Sequence, residues 1–118
     1  MSKPIFQKGK IVVEAHGGLK IEIPERQWKH IIQERNRRYF QNQFDKIAQT
    51  LSDPDRKIKS KKQKNVFIYE RFFDDFYIQN TVLGHAYIYV VVNTKTERLN
   101  TAYADRSQQT KGMVVWQK

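Results

Sequence analysis

Residues 86–104 read Ala86-Tyr-Ile-Tyr-Val-Val-Val-Asn-Thr-Lys-Thr-Glu-Arg-Leu-Asn-Thr-Ala-Tyr-Ala104, and this stretch decides the fold. The run Tyr87–Val92 reads as a core strand, because β-branched and aromatic side chains pack well on a pleated surface. A second strand follows, so the stretch is a hairpin. Alternate strand residues point the same way, which predicts Leu99, Thr101 and Tyr103 on one face and Arg98, Asn100 and Ala102 on the other. The chain carries 22 Lys and Arg against 12 Asp and Glu, a formal net charge of +10 at pH 7. A row of polar groups on so basic a chain predicts an anion site, a polyphosphate backbone first among the candidates.

At 118 residues the sequence fits a single domain, 1–118, with residues 1–23 as an N-terminal hairpin extension. Hydrophobic residues make up 39% and aromatic residues 13%, enough bulk to close one core despite the charge. Cysteine is absent, which excludes disulfides and thiolate chemistry. The opening Met1-Ser-Lys-Pro-Ile-Phe-Gln-Lys-Gly-Lys10 lacks the continuous apolar run of a signal peptide. No apolar stretch approaches the roughly 20 residues that span a bilayer. The expectation is a soluble cytoplasmic protein with no membrane partner.

Outward from the hairpin, residues 11–23 predict a second one: Ile11, Val13 and Ala15 alternate, Gly17-Gly18 turns, and Leu19, Ile21 and Ile23 resume. Pro24 and Glu25 open a helix placed at 25–35, with Trp28, Ile31, Ile32 and Arg35 on one stripe. A second helix is read after Asn36-Arg-Arg38 from Phe40, Phe44, Ile47, Ala48 and Leu51, ending at Asp53-Pro54. Lys57–Lys64 is a charge run read as a solvated loop. Val66–Phe73 predicts a strand, Asp74-Asp75 a turn, and Phe76–Val82 an extended segment that Gly84 separates from the hairpin. Arg106–Lys111 reads as a polar loop, and Met113–Trp116 as either a short edge strand or a segment packed back on the core. The order predicts an α+β fold: an N-terminal hairpin, then two helices packed on a twisted antiparallel sheet of about four strands.

Three histidines, at 16, 30 and 85, lack metal-ligand spacing, so no metal and no cofactor is expected. His30 sits away from Trp28 on its helix, either as a solvated or capping imidazole or as a general acid or base. Glu70 and Arg71 fall on opposite faces of their strand, so only one of them can serve a given site. Arg71 shares a face with Phe67 and Tyr69, where it clamps a phosphate while the rings stack on bases, or merely packs its stem on them. Thr101 and Tyr103 either line a site or simply satisfy β propensity. Lysines of the 57–64 run either stay solvated or hold a phosphate backbone.

The helix Glu25–Arg35, the Leu51-Ser-Asp-Pro54-Asp segment, Tyr69-Glu-Arg71-Phe-Phe, Tyr87-Ile-Tyr-Val90-Val-Val, Thr101-Ala-Tyr103 and the closing Lys111-Gly112 with Trp116 occur in an order that resembles the phage-associated barnase, EndoU, colicin and RelE-like nuclease group, over about residues 22–118. The resemblance implies metal-independent RNA cleavage by attack of the ribose 2′-hydroxyl, often in a toxin. It implies His30, Arg71, Thr101 and Tyr103 as the catalytic set around one groove, with Arg35, Arg37, Lys61, Lys62, Lys64 and Tyr69 as substrate contacts. RNA is then the expected partner, together with an acidic antitoxin or immunity protein. The alternatives are a catalytically silent nucleic-acid-binding module and a toxin-like protein neutralised by an acidic partner. One departure stands out: relatives read Arg-His-Pro after this helix, whereas Asn36 and Arg37 follow Arg35 here. The missing imidazole shifts the second proton carrier to Tyr103, His85 or Glu70.

Overall fold

A computed structural model describes residues 3–78, 82–109 and 112–118, with the side chains at 35–37, 78, 82 and 83 outside the description. The described residues form seven strands and two α-helices, with one 3₁₀ helix. They are β1 (Lys10–Glu14), β2 (Lys20–Pro24), α1 (Glu25–Gln33), a 3₁₀ helix over Arg35–Phe40, α2 (Phe44–Ser52), β3 (Arg56–Lys59), β4 (Val66–Ile78), β5 (Val82–Asn93), β6 (Arg98–Asp105) and β7 (Met113–Gln117).

The N-terminal hairpin forms as the alternation predicts, with Ile11 opposite Ile23 and Val13 opposite Ile21. Its turn needs left-handed backbone at two successive positions, φ 94° at Gly17 and 91° at Gly18, which glycine adopts without a Cβ penalty. Pro24 precedes α1 in extended conformation, and Glu25 places a carboxylate in the first turn, where the helix dipole favours it. Trp28 and Ile31 are buried, three residues apart on one helix face.

The second helix differs from its sequence reading, because the chain breaks between Phe40 and Phe44. The cause is Gln43, whose buried amide donates to the Tyr39 carbonyl at 2.6 Å and the Tyr77 carbonyl at 2.8 Å, and accepts the Tyr77 N–H at 2.8 Å. These bonds tie the chain to β4 and leave Arg35–Phe40 as a separate 3₁₀ turn. An edge-on Trp28–Phe44 contact at 5.2 Å joins α1 to α2.

Part of the lysine run is strand rather than loop: Arg56–Lys59 forms β3, whose Ile58 is fully buried between β4 and β7. Charge masked a short period-two pattern. Asp74-Asp75 is not a turn but lies within β4, where the register with β5 shifts between Phe73 and Phe76, and Gly84 continues β5 opposite Phe76. The β4–β5 connection at 79–81 lies outside the described residues, as do residues 110 and 111 of the expected polar loop. Met113–Gln117 forms the expected edge strand beside β3.

The sheet order is β1-β2-β6-β5-β4-β3-β7. Seven strands replace the expected four or so, because β3 and β7 extend one side and the N-terminal hairpin joins the other. That hairpin joins in parallel, through Glu22 opposite Arg98, with an Arg98 Nε–Glu22 Oε2 pair at 2.8 Å. The antiparallel expectation therefore holds for every neighbour pair except β2–β6.

Both α-helices cover one face of the sheet. Trp28, Ile31, Phe40, Ile47 and Leu51 pack there against Tyr69, Phe73, Ile88, Val90, Leu99 and Ala102. The sheet curls around them far enough that its ends meet: the His16 ring after β1 lies 4.4 Å from the Trp116 ring of β7. The His16 N–H donates to the Leu51 carbonyl at the end of α2, and the Lys57 ammonium, over the Trp116 ring, donates to the His16 carbonyl at 2.9 Å. Burial holds the Lys57 amine below the usual lysine range. Among the described residues no helix is long and apolar enough to cross a membrane.

Candidate nucleic-acid interface

The sheet face away from the helices carries the candidate site. A small cluster of Ile58, Ile68 and Tyr89 is buried there, with Tyr87, Val91 and Tyr103 packed around it. The first strand read from the sequence explains this division: in β5, Ala86, Ile88, Val90 and Val92 face the helices, while Tyr87, Tyr89 and Val91 face the other way.

In β6 the simple alternation fails once. Val92 pairs with Leu99 and Val91 with Thr101, so Asn100 is an extra residue in the ladder. Its carbonyl accepts instead from the Gln27 side chain of α1. The bulge places Leu99 on the helix-covered side, against the expectation that it shares a face with Thr101 and Tyr103. Thr101, paired with Val91, and Tyr103, paired with Tyr89, both stand on the open face. Tyr103 stacks on Tyr89 with ring centroids 5.1 Å apart and planes 20° from parallel.

The connection from β6 to β7 must pass β5, β4 and β3, and its described residues 106–109 lie as a strap over this open face. Gln108 donates to Glu70 at 3.0 Å, the Gln109 N–H donates to the Tyr89 hydroxyl at 2.6 Å, and Arg56 donates to the Gln109 carbonyl at 3.0 Å. Burial pushes the Tyr89 phenol well above its ordinary range, and the Glu70 carboxylate holds the Arg56 guanidinium above its own. The strap lands at Gly112, whose backbone lies so close to Lys59 that a Cβ there would overlap the Lys59 carbonyl oxygen.

Beside the strap lies a groove of about 460 Å³. Val66, Ile68 and Val91 form its apolar floor, and Ser60, Lys61, Lys62 and Gln63 its rim. The rim is shaped locally: Ser60 Oγ accepts the N–H groups of Lys62 and Gln63, and the Ser60 N–H donates to the Val66 carbonyl, closing the loop. Two ammonium groups over an apolar surface hold an anionic, partly flat ligand well.

Of the residues implied by sequence, Lys61 and Lys62 line the groove, Thr101 and Tyr103 stand on the same open face without lining it, and His30 and Arg71 are not on that face. His30 projects from α1 with its side chain 66% exposed, its imidazole 3.8 Å from Glu34, and α1 packs on the opposite face of the sheet. Arg71 lies on that covered side too, donating to the Asp53 carbonyl and carboxylate at 2.7 Å each and resting over the Phe73 ring. Arg71 thus holds Asp53, not a phosphate. The expected meeting of an imidazole, a guanidinium and two hydroxyls over one cleft does not occur, because the sheet stands between them.

Tyr69 belongs to the helix-side core, across the sheet from the groove, where burial raises its hydroxyl pKa, so it is not a substrate contact. Lys64 is exposed but does not line the groove. The side chains of Arg35 and Arg37 lie outside the described residues. As expected, Glu70 and Arg71 take opposite faces, but Glu70 is sealed under the strap by Arg56. Neither His16, at the sheet junction, nor His85, beside Phe72, lines the groove. Among the described residues no three His, Asp or Glu side chains are grouped to hold a metal ion.

Sequence reasoning missed Ser60, Gln63 and the floor residues Val66, Ile68 and Val91. Only the alternation of Val66 and Ile68 carried a signal for them. A comparison with known protein families, curated proteins and solved structures finds no match to this chain.

Proposed function

We propose that the chain binds single-stranded nucleic acid, RNA foremost, along the open face of its sheet, as a binding module and not through a His30–Arg71 cleavage centre. The observation that carries this reading is the groove in which Lys61 and Lys62 rim an apolar floor of Val66, Ile68 and Val91. Phosphates pair with the ammonium groups while a base lies on the floor, the combination by which proteins hold single strands without reading sequence. The formal charge of +10 supplies the long-range attraction that steers a polyanion to this face. Thr101 and Tyr103 extend the floor toward β6 with groups able to hydrogen-bond a sugar or phosphate.

The nuclease reading requires a proton carrier beside the bound phosphate. None of the three imidazoles lines this groove, and the buried Tyr89 phenol is harder, not easier, to deprotonate. Binding without cleavage therefore fits the geometry better.

The test is fluorescence anisotropy with a labelled 12-nucleotide RNA in excess chelator, followed by electrophoresis of the recovered RNA. Intact RNA bound by the wild type, and bound at least tenfold more weakly by a Lys61→Glu, Lys62→Glu variant, is the expected result. Equal affinity of the two proteins overturns the site, and RNA cleaved by the wild type in chelator overturns the silent module.

A further inference from the structure

We infer a second subsite on the same open face: Phe72, Tyr87 and His85 form a stacking platform for a base of the strand whose phosphates lie at Lys61 and Lys62. The inference rests on the nucleic-acid reading above and deepens it, since it sets the length of strand the protein needs.

Phe72 stands in the interior of β4, where a side chain ordinarily finds cover, yet it is 41% exposed. Its ring lies 5.1 Å from Tyr87, edge-on at 61°, and 6.0 Å from His85, with planes only 27° apart. Three flat side chains therefore share one patch of sheet, two of them exposed and Tyr87 half-buried. The backbone beneath is held, because the Phe72 N–H donates to the Asp55 carboxylate at 2.8 Å.

The strap bonds to Glu70 and Tyr89, two residue pairs along the strands from Phe72 and Tyr87, and so crosses the open face between the platform and the groove floor at Ile68 and Val91. The platform is left open beyond it. An offset or edge-on aromatic group presents both a π face and a polarised edge, and a nucleobase matches both. The imidazole adds hydrogen-bonding nitrogens at the rim.

Spacing ties the platform to the groove. Ile68 and Phe72 point to the same face of β4 four residues apart, which at 3.3 Å per residue is about 13 Å. At a stacking rise of 3.4 Å per nucleotide, that distance corresponds to about four nucleotides. A dinucleotide fills the groove alone, whereas a strand of about eight is long enough to pass over Gln108 and Gln109 and reach both subsites.

A length series of oligouridylates of 2, 4 and 8 nucleotides, titrated against the wild type, Phe72→Ala, Phe72→Trp and the Lys61→Glu, Lys62→Glu variant, tests the inference. Phe72→Ala is expected to bind the 8-mer roughly tenfold more weakly, within the range seen when one stacking ring is removed, and the 2-mer as the wild type does. Phe72→Trp is expected to restore the 8-mer, which a loss of folding in the alanine variant would not reproduce. If Phe72→Ala binds the 8-mer like the wild type while the lysine variant is weakened, the platform is overturned and the groove stands. If the wild type binds no oligomer, or the lysine variant matches it throughout, the nucleic-acid reading itself falls.

Discussion

Arg56 and Glu70 face each other across β3 and β4 in a two-point ion pair, Nε to Oε1 at 2.7 Å and Nη2 to Oε2 at 2.6 Å, with Glu70 only 1% exposed. The same two side chains bind Gln108 and Gln109 of the strap. The pair thus fixes both the β3–β4 junction and the chain that crosses it. A buried charge that loses its partner is costly, whereas replacing both charges by apolar groups is often neutral. Glu70→Ala is expected to lower stability by about 3–5 kcal/mol in urea unfolding. Arg56→Met combined with Glu70→Leu should recover most of that loss, and a double variant no better than the single one would refute this account.

Acid sensitivity follows from Asp53. The Arg71 hydrogen bond, with a further bond from Lys118, holds its carboxyl below the usual value of 3.8. A carboxylate harder to protonate folded than unfolded contributes stability that is present above the unfolded value and lost as pH falls through the lower folded one. Thermal melts of the wild type between pH 5 and pH 2 should therefore decline more steeply than those of Asp53→Asn. Parallel curves would mean that the contact of Asp53 with Arg71 and Lys118 has no energetic weight in solution, as holds for many exposed pairs.

What the sequence revealed and what it hid have the same origin. Periodicity exposes elements whose neighbours are local, so the Gly17-Gly18 hairpin, α1 and the 86–104 hairpin were all legible. The failures lie where a distant partner decides. Gln43 breaks the second helix by bonding to Tyr77, thirty-four residues away, and Arg56–Lys59 becomes a strand only because β4 and β7 flank it. At the site, a single bulge at Asn100 reassigned Leu99, and the passage of α1 over one face removed His30 from the hydroxyls it was expected to join. Strand alternation shows which residues share a face. It does not show which face a helix will cover.

His30 separates the two functional readings directly. Its imidazole is exposed, with Glu34 at 3.8 Å, so His30→Ala should change stability by less than about 0.5 kcal/mol. It should also leave RNA affinity as in the wild type. Arg71→Ala removes the Asp53 contacts and the Phe73 ring contact, at about 0.5–1 kcal/mol, again without a change in RNA affinity. A His30→Ala variant that loses RNA cleavage in chelator would return the active site to the helical face.

Salt dependence distinguishes a built groove from diffuse charge. For single strands, the slope of log affinity against log salt is about −0.7 per phosphate neutralised. Lys61→Ala with Lys62→Ala should therefore flatten the slope by about 1.4, if both ammonium groups pair with phosphates. Lys20, exposed on β2 near the far edge of the sheet, is the control, and Lys20→Ala should leave the slope unchanged. A chain of net charge +10 attracts RNA weakly wherever its cations are dense, and in that case every lysine removed costs the same. Equal flattening per residue at Lys20 and at the Lys61–Lys62 rim would therefore show that RNA follows the overall charge, with no preference for the open face.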